Sequence, residues 1–224
     1  LVRWRHPQRG IMLPAAFLPM AIDTGLVRYL DEAVLLMACR QNKAWQDAGY
    51  APIRMSVNIS NSFFHGGHVT KAVAKGLQET RLNPRFLKLE LTESIAMRDV
   101  EASIAMLQDL RDLGVQLAID DFGTGYFSLN YLQRLPLNLL KIDQSFVQDM
   151  TRSVASASIM RAIVALAHNL NLSVLAEGVE TEEQLAMLRA QGCDEAQGYL
   201  LGRPMPGAEF EQLLSQNVSR GRVA

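Results

Sequence analysis

Strand-like and helix-like segments alternate along the whole of this 224-residue chain. That predicts an α/β fold with a parallel sheet and helical crossovers, and within that class a (β/α)8 TIM-like barrel. Three observations carry the prediction. Seven strand-like segments alternate with helical ones. Each strand has an apolar face and a mixed polar face, such as Met55, Val57 and Ile59 against Arg54, Ser56 and Asn58, or Leu87, Leu89 and Leu91 against Lys88 and Glu90. Most polar faces also end in a functional side chain at the strand's C-terminal end, where barrel enzymes place their sites. An open doubly wound sheet is the rival, but its strands would read as near-continuous apolar runs. Because the sequence opens directly in a strand-like run, one of the eight strands is expected upstream of Leu1.

Each element has a local cause. Leu1 to Arg5 alternates and predicts a strand, and His6-Pro7-Gln8-Arg9-Gly10 a turn. Pro14 to Met20 predicts a short helix ending near Asp23-Thr24-Gly25, and Leu26 to about Ala48 a long amphipathic one. Arg54 to Ile59 alternates again. A helix over Val69 to Thr80 is broken by Asn83-Pro84, and Phe86 to Leu91 is a strand. Val100 to Leu113 is a helix closed by Gly114, followed by a strand over Val115 to Ile119. Ser128 to Leu135 is a short helix stopped at Pro136. Strands over Leu139 to Ile142, Ser173 to Ala176 and Glu195 to Tyr199 then alternate with helices over Ser153 to Leu170 and Thr181 to Ala190. Gly207 to Gln216 is the last helix before a polar tail.

Composition excludes several classes. Hydrophobic residues make up 49% and charged ones 20%, which argues against disorder over most of the length. A net charge of -1 gives no bulk attraction to a nucleic-acid polymer, so an anionic ligand needs a local site. Cys39 and Cys193 fit no metal-ligand spacing and read as reduced core thiols of a cytoplasmic protein. No apolar run reaches the ~18 residues of a membrane helix. The apolar stretch from Ile11 to Ile22 is interrupted by Pro14 and Pro19.

The rim residues are Asn58, Glu90, Asp120, Lys141 with Asp143, Glu177 and Gln197. Any one of them alone reads as a solvated strand end. Six strands ending this way in one barrel do not. Asn58, Glu90, Asp120 and Asp121 offer only oxygen, which suits Mg²⁺ or Mn²⁺. Several converging carboxylates point to two ions, with Asp120 bridging and Asp121 on the second. Such ions sit about 3.5–4 Å apart and serve in-line displacement at phosphorus. Lys141 is then a partner for phosphate or the attacking water. Glu177 either ligates the second ion or accepts the water's proton. The loop from Phe122 to Phe127 reads as a lid, its glycines allowing unusual backbone angles.

Three patterns carry no function. Asp121-Phe122-Gly123 spells the kinase magnesium motif, but no His-Arg-Asp loop or Gly-rich phosphate loop precedes it. Asp23-Thr24-Gly25 follows a helix and reads as its C-cap rather than an aspartic-protease loop. His65-Gly66-Gly67-His68 reads as an exposed loop.

Together the motifs resemble the EAL-domain family of cyclic di-GMP phosphodiesterases, from Leu1 to Pro204. The resemblance rests on Leu1-Val2-Arg3-Trp4-Arg5-His6-Pro7, Val57-Asn58-Ile59-Ser60 and Glu90-Leu91-Thr92-Glu93-Ser94. It continues through Asp120-Asp121-Phe122-Gly123-Thr124-Gly125-Tyr126, Leu140-Lys141-Ile142-Asp143, Ala176-Glu177-Gly178-Val179-Glu180-Thr181 and Gln197-Gly198-Tyr199-Leu200. It implies a single EAL-type barrel over 1–224 that hydrolyses cyclic di-GMP to linear pGpG with Mg²⁺ or Mn²⁺. It implies metal ligation by Asn58, Glu90, Asp120, Asp121 and Glu177. Lys141, Glu177 and Asp121 become the catalytic set, and Leu1, Arg3, Asp143, Gln197, Gly198, Tyr199 and Pro204 substrate contacts. Glu93 would anchor the lid formed by Phe122, Gly123, Thr124, Gly125, Tyr126 and Phe127. The family dimerises through that lid and the neighbouring helix, and such domains sit behind sensor or GGDEF-type domains in longer signalling proteins. Two departures stand out. Leu1 aligns with the Leu of the Glu-Ala-Leu motif, so its Glu is expected upstream, and activity is conditional on it. Phe127 stands where the family usually has Ser. The alternative reading is a catalytically impaired receptor for cyclic di-GMP.

Overall fold

The computed structural model describes residues 2–125 and 129–219. The chain forms two compact units, Leu1–Leu87 with Pro204–Ala224, and Lys88–Arg203.

In the first unit, β1 (Trp4–His6) and β2 (Gly10–Met12) pair antiparallel, with Trp4 opposite Met12 and His6 opposite Gly10. His6 Nδ1 accepts from the backbone N–H groups of Gln8 and Arg9, and Gly10 takes a φ of +70°. The predicted turn therefore folds the strand back on itself. This corrects the expectation of a parallel strand over residues 1–5: residues 4–6 form one arm of a ribbon, and the apolar run after the turn supplies the other. Helix α1 (Pro14–Asp23) starts on Pro14 and gives way at Gly25, whose φ is +70°, as its reading as a cap predicts. Helix α2 (Val27–Asp47) buries one stripe, Val27, Leu35, Cys39, Asn42 and Trp45.

Strand β3 (Met55–Asn58) leads into α3 (Asn61–His65), capped by the Ser60 hydroxyl, which accepts from Phe63 N–H. Helix α4 (Val69–Thr80) packs on α2 where Gly76 leaves room for the Cys39 sulfur. A 3₁₀ turn follows at Pro84–Phe86. Asn42 is fully buried, and its Nδ2 donates to the carbonyls of Ile53 (3.1 Å) and Phe86 (3.0 Å). Two backbone acceptors that would otherwise be orphaned are thereby satisfied.

The second unit alternates strand and helix in chain order. Its elements are β4 (Leu87–Thr92), α5 (Glu93–Met97), α6 (Val100–Asp112), β5 (Gln116–Phe122), α7 (Leu129–Leu132) and β6 (Leu139–Ile142). Then come α8 (Gln144–Asp149), α9 (Val154–Asn169), β7 (Ser173–Ala176), α10 (Glu182–Ala190) and β8 (Glu195–Ala196). Strands β4 to β8 pair each with the next, all parallel, with Leu89 beside Leu117, Leu140 beside Val174, and Ala176 beside Ala196. Helix α11 (Gly207–Ser219) closes the chain in the first unit, where Trp45 Nε1 donates to Glu211 Oε1 at 2.8 Å.

The α/β class with a parallel sheet is therefore as predicted. The two-faced strands have a physical sense here, because the polar face is buried as well: Lys88, Glu90 and Lys141 are buried, almost as fully as Leu89 and Leu140. Three differences matter below. Strand β5 runs on through Asp120 and Asp121 instead of stopping at Ile119. The short helices α3, α5 and α8 follow strands where the sequence pattern names no element. Strand β8 is two residues long rather than five. Beyond it, Gln197 O accepts from Val179 N–H, and Leu201 and Gly202 turn back onto Gly198 O. A Cβ on Gly198 would stand 2.1 Å from the Val179 carbonyl oxygen, so only glycine allows that approach.

Candidate functional site

Four neighbouring strands of the second unit deliver charged side chains to one end. Lys141, on β6, places its Nζ 2.7 Å from Glu90 Oε2 on β4, 2.8 Å from Asp120 Oδ1 on β5, and 2.8 Å from Glu177 Oε1 just past β7. All these distances are in the range of charge-assisted hydrogen bonds. Glu90 and Lys141 are about 5% exposed and Asp120 9%. The period-2 alternation of the strands is what aims these residues to one face.

Asp121 joins them against that alternation. Neighbours on a strand point to opposite faces, so Asp120 and Asp121 should part company. They do not, because β5 carries an extra residue against β6: Ile119 pairs with Leu140 but Phe122 with Ile142. Asp121 takes a φ of +54°, the left-handed region that asparagine and aspartate tolerate best. Such a bulge re-aims a side chain, a device common beside active sites. Oxygens of Asp120, Asp121 and Glu177 thus lie within 4.8 Å of one another.

The electrostatics follow from the crowding. Burial and the nearby carboxylates of Asp120 and Asp143 push the Asp121 carboxyl up, with Lys141 pulling it back in part. Burial also pushes Glu177 above the usual carboxylate range, again against the pull of Lys141. Burial alone would lower the Lys141 ammonium, but Glu90, Asp120 and Glu177 overcome it and hold it charged. Four carboxylates face one ammonium. The surplus negative charge, with hard oxygen donors only, fits a divalent cation of the magnesium or manganese type. Asp120, Asp121 and Glu177 are the residues that could hold it, with Glu90 alongside.

The other predicted residues are distributed as follows. Glu93 opens α5 and is buried; its Oε1 accepts from Gly123 N–H at 2.8 Å. Its Oε2 has no hydrogen-bond partner among the described residues, and a Cβ on Gly125 would stand 2.4 Å from it. Phe122 is buried, while Gly123, Thr124 and Gly125 are exposed. Asp143 caps α8, accepting from Ser145 N–H. Gln197 and Tyr199 are exposed on the segment after β8, and Arg203 stacks 4.4 Å over the Tyr199 ring. Gly198 is the close-packed glycine described above. Asn58 ends β3, Arg3 precedes β1 and Pro204 precedes α11, all three in the first unit. Leu1, Tyr126 and Phe127 lie outside the described residues. The sequence gives no sign of the bulge or of α8, whose Phe146 and Gln144 pack against Gly123 and Gly178.

Parallel strands that end in an acidic, cation-accepting cluster define an α/β, TIM-like domain with its site at the C-terminal strand ends. The sequence profile of the EAL domain matches residues 1–204, and the chain belongs to the EAL domain family. It is 48% identical over 215 residues to the bifunctional diguanylate cyclase/cyclic di-GMP phosphodiesterase MucR of Pseudomonas aeruginosa, covering 96% of this chain and 31% of that protein. It is 45% identical over 214 residues to the cyclic di-GMP phosphodiesterase NbdA of the same organism, covering 96% and 27%. The chain thus spans about a third or less of these relatives. Among solved structures, the MucR phosphodiesterase in complex with c-di-GMP superposes with a TM-score of 0.89 at 48% identity, covering 94% of this chain and 85% of that one. The FimX EAL domain of Pseudomonas aeruginosa bound to c-di-GMP gives 0.84 at 28% identity, covering 91% and 81%.

Proposed function

We propose that this domain is a phosphodiesterase that hydrolyses cyclic di-GMP to linear pGpG, using two Mg²⁺ or Mn²⁺ ions. The observation that carries the reading is the buried cluster of Glu90, Asp120, Asp121 and Glu177 around Lys141 Nζ. The names of relatives at 48% and 45% identity support the substrate. Asp120, Asp121, Glu90 and Glu177 are the proposed ligands, and the sequence motif nominates Asn58 as a further one. Bound there, divalent cations supply charge neutralisation at the phosphoryl oxygens and acidify water.

The chain's own groups do the rest. Lys141 fixes three carboxylate oxygens by hydrogen bonds, so the cluster is organised before substrate arrives. Glu177, oriented by Lys141 Nζ at 2.8 Å, accepts the proton of the attacking water. The new bond forms between that water oxygen and phosphorus. The bond from phosphorus to the ribose 3′ oxygen breaks, and that oxygen leaves with a proton as the 3′ hydroxyl of pGpG. Gln197, Gly198, Tyr199 and Asp143 are proposed substrate contacts in this unit. Arg3 is proposed to meet a phosphate, with Leu1 and Pro204 at the substrate. Glu93 is proposed to anchor the lid, through its bond to Gly123 N–H.

The longer relatives support placing the domain within a multidomain signalling protein that also carries sensor or GGDEF-type regions. No helix among the described residues is long and apolar enough to cross a membrane. A cytoplasmic location and a homodimer through the lid belong to the same proposal. The test is product formation: cyclic di-GMP incubated with the protein and Mg²⁺ or Mn²⁺ should yield pGpG by chromatography. Intact nucleotide binding without product would overturn the enzyme in favour of the receptor.

A further inference from the structure

Asp121 takes the left-handed conformation, uncommon for any residue but glycine even though aspartate tolerates it better than most. A non-glycine residue at a φ of +54° persists where its surroundings over-determine it. The ladder fixes the chain to β4 through Asp120, and to β6 at Ile119 and again at Phe122. Beyond Phe122 the ladder ends, and something must hold the chain there for the bulge, and with it the Asp121 carboxylate, to keep its place.

That something is α8. Its Phe146 ring lies against Gly123, two residues after Asp121, so closely that a Cβ there would stand 2.6 Å from Phe146 Cε2 and 2.7 Å from Cζ. On the other side Gly123 N–H donates to Glu93 Oε1 at 2.8 Å. Gly123, with a φ of +95°, is thus gripped between a ring and a carboxylate. The same helix braces the neighbouring strand end. A Cβ on Gly178, next to Glu177, would stand 2.5 Å from Gln144 Cβ. Helix α8 follows directly from Lys141 and is tied down by its Asp143 cap and by the fully buried Val147. One six-residue helix therefore wedges both glycine hinges that follow the acidic residues of β5 and β7.

We infer that Phe146 is a positioning residue of the cation site: it holds Gly123, and through it the left-handed backbone of Asp121, so that Asp121 faces Asp120 and Glu177. The inference rests on the reading of that cluster as a divalent-cation site, and touches neither the substrate nor the chemistry of the reaction. Groups that orient metal ligands typically change affinity about 10–100-fold when removed.

The experiment is Mn²⁺ binding measured by titration calorimetry on the protein without nucleotide. Phe146→Ala should weaken Mn²⁺ binding about 10-fold, and Phe146→Leu, which keeps bulk against Gly123, should recover most of it. Leu188→Ala, buried on α10 of the same unit, controls for stability: it should lower the melting temperature without moving Mn²⁺ affinity. If Phe146→Ala does not fold, Phe146→Leu against Phe146→Val decides by the same ordering with side-chain bulk. Wild-type Mn²⁺ affinity in the Phe146 variants, with binding lost in Asp120→Asn, would overturn the inference and leave the cation site standing. Unchanged affinity in Asp120→Asn would overturn the cation site itself, and the inference with it.

Discussion

Lys141 shows how much one side chain can be asked to do. Its ammonium is the single cation among three carboxylates within 2.8 Å, and it is almost wholly buried. Removing one partner of a buried charge cluster strands the rest, at a cost of about 3–5 kcal/mol. Lys141→Ala should therefore lower the urea midpoint of the cation-free protein, and added Mn²⁺ should raise the variant's midpoint more than the wild type's. In turnover assays its kcat should fall more than its KM rises, and a change in KM alone would exclude a part in water activation. Lys141, Glu90 and Asp120 were legible in the sequence because each sits on the polar side of an alternating strand, and alternation is a local property. Asp121 belongs to the same cluster for a reason no local pattern contains: its backbone angle is set by β6 and α8, elements distant in sequence.

Elements were legible where one force dominates. Helices α2, α4 and α6 fall where period and caps place them, because each buries a regular stripe, and strands β6 and β7 fall on short runs buried almost throughout. The short helices α3, α5 and α8 carry too little apolar periodicity to announce themselves; caps at Ser60 and Asp143 start α3 and α8, and packing on a strand end holds α5. The ribbon of β1 and β2 was misjudged because alternation reports a strand but not its partner. Ties between elements yield a pH prediction. Asp194, just before β8, accepts from His168 Nε2 on α9 at 2.9 Å and from Val174 N–H on β7 at 2.8 Å. Burial pushes its carboxyl up, but these donors outweigh it and hold it below the usual range. A carboxyl lowered by folding contributes stability above its unfolded value of about 3.9, and loses it as pH falls through the lower folded value. Asp194→Asn should therefore flatten the acid limb of the melting temperature below about pH 4 and leave its shape near neutrality unchanged. An equally steep acid limb in the variant would refute the tie.

At the scale of the molecule, each unit carries its own thiol. Cys39 lies in the core of the first and Cys193 is half-buried in the second, both free, and burial pushes each up to about 11. A thiol that stays protonated at neutral pH is a poor nucleophile. Native protein at pH 7.5 should react slowly with a thiol reagent, and both cysteines rapidly once urea unfolds the unit that holds them. Peptide mapping of the labelled sites would follow the two units separately, and fast labelling of Cys39 without urea would contradict its burial.

The left-handed backbone at Asp121 also has a consequence for how this site can change over generations. Asparagine is the residue most at ease there after glycine, and its codons differ from those of aspartate in the first base alone. A single nucleotide change thus removes the negative charge while leaving the bulge, the lid anchor and the sheet undisturbed. Alanine at the same place would lose the charge and also bear the backbone strain. A descendant that keeps the bulge without the Asp121 charge lies one substitution away along a path that folding stability does not oppose.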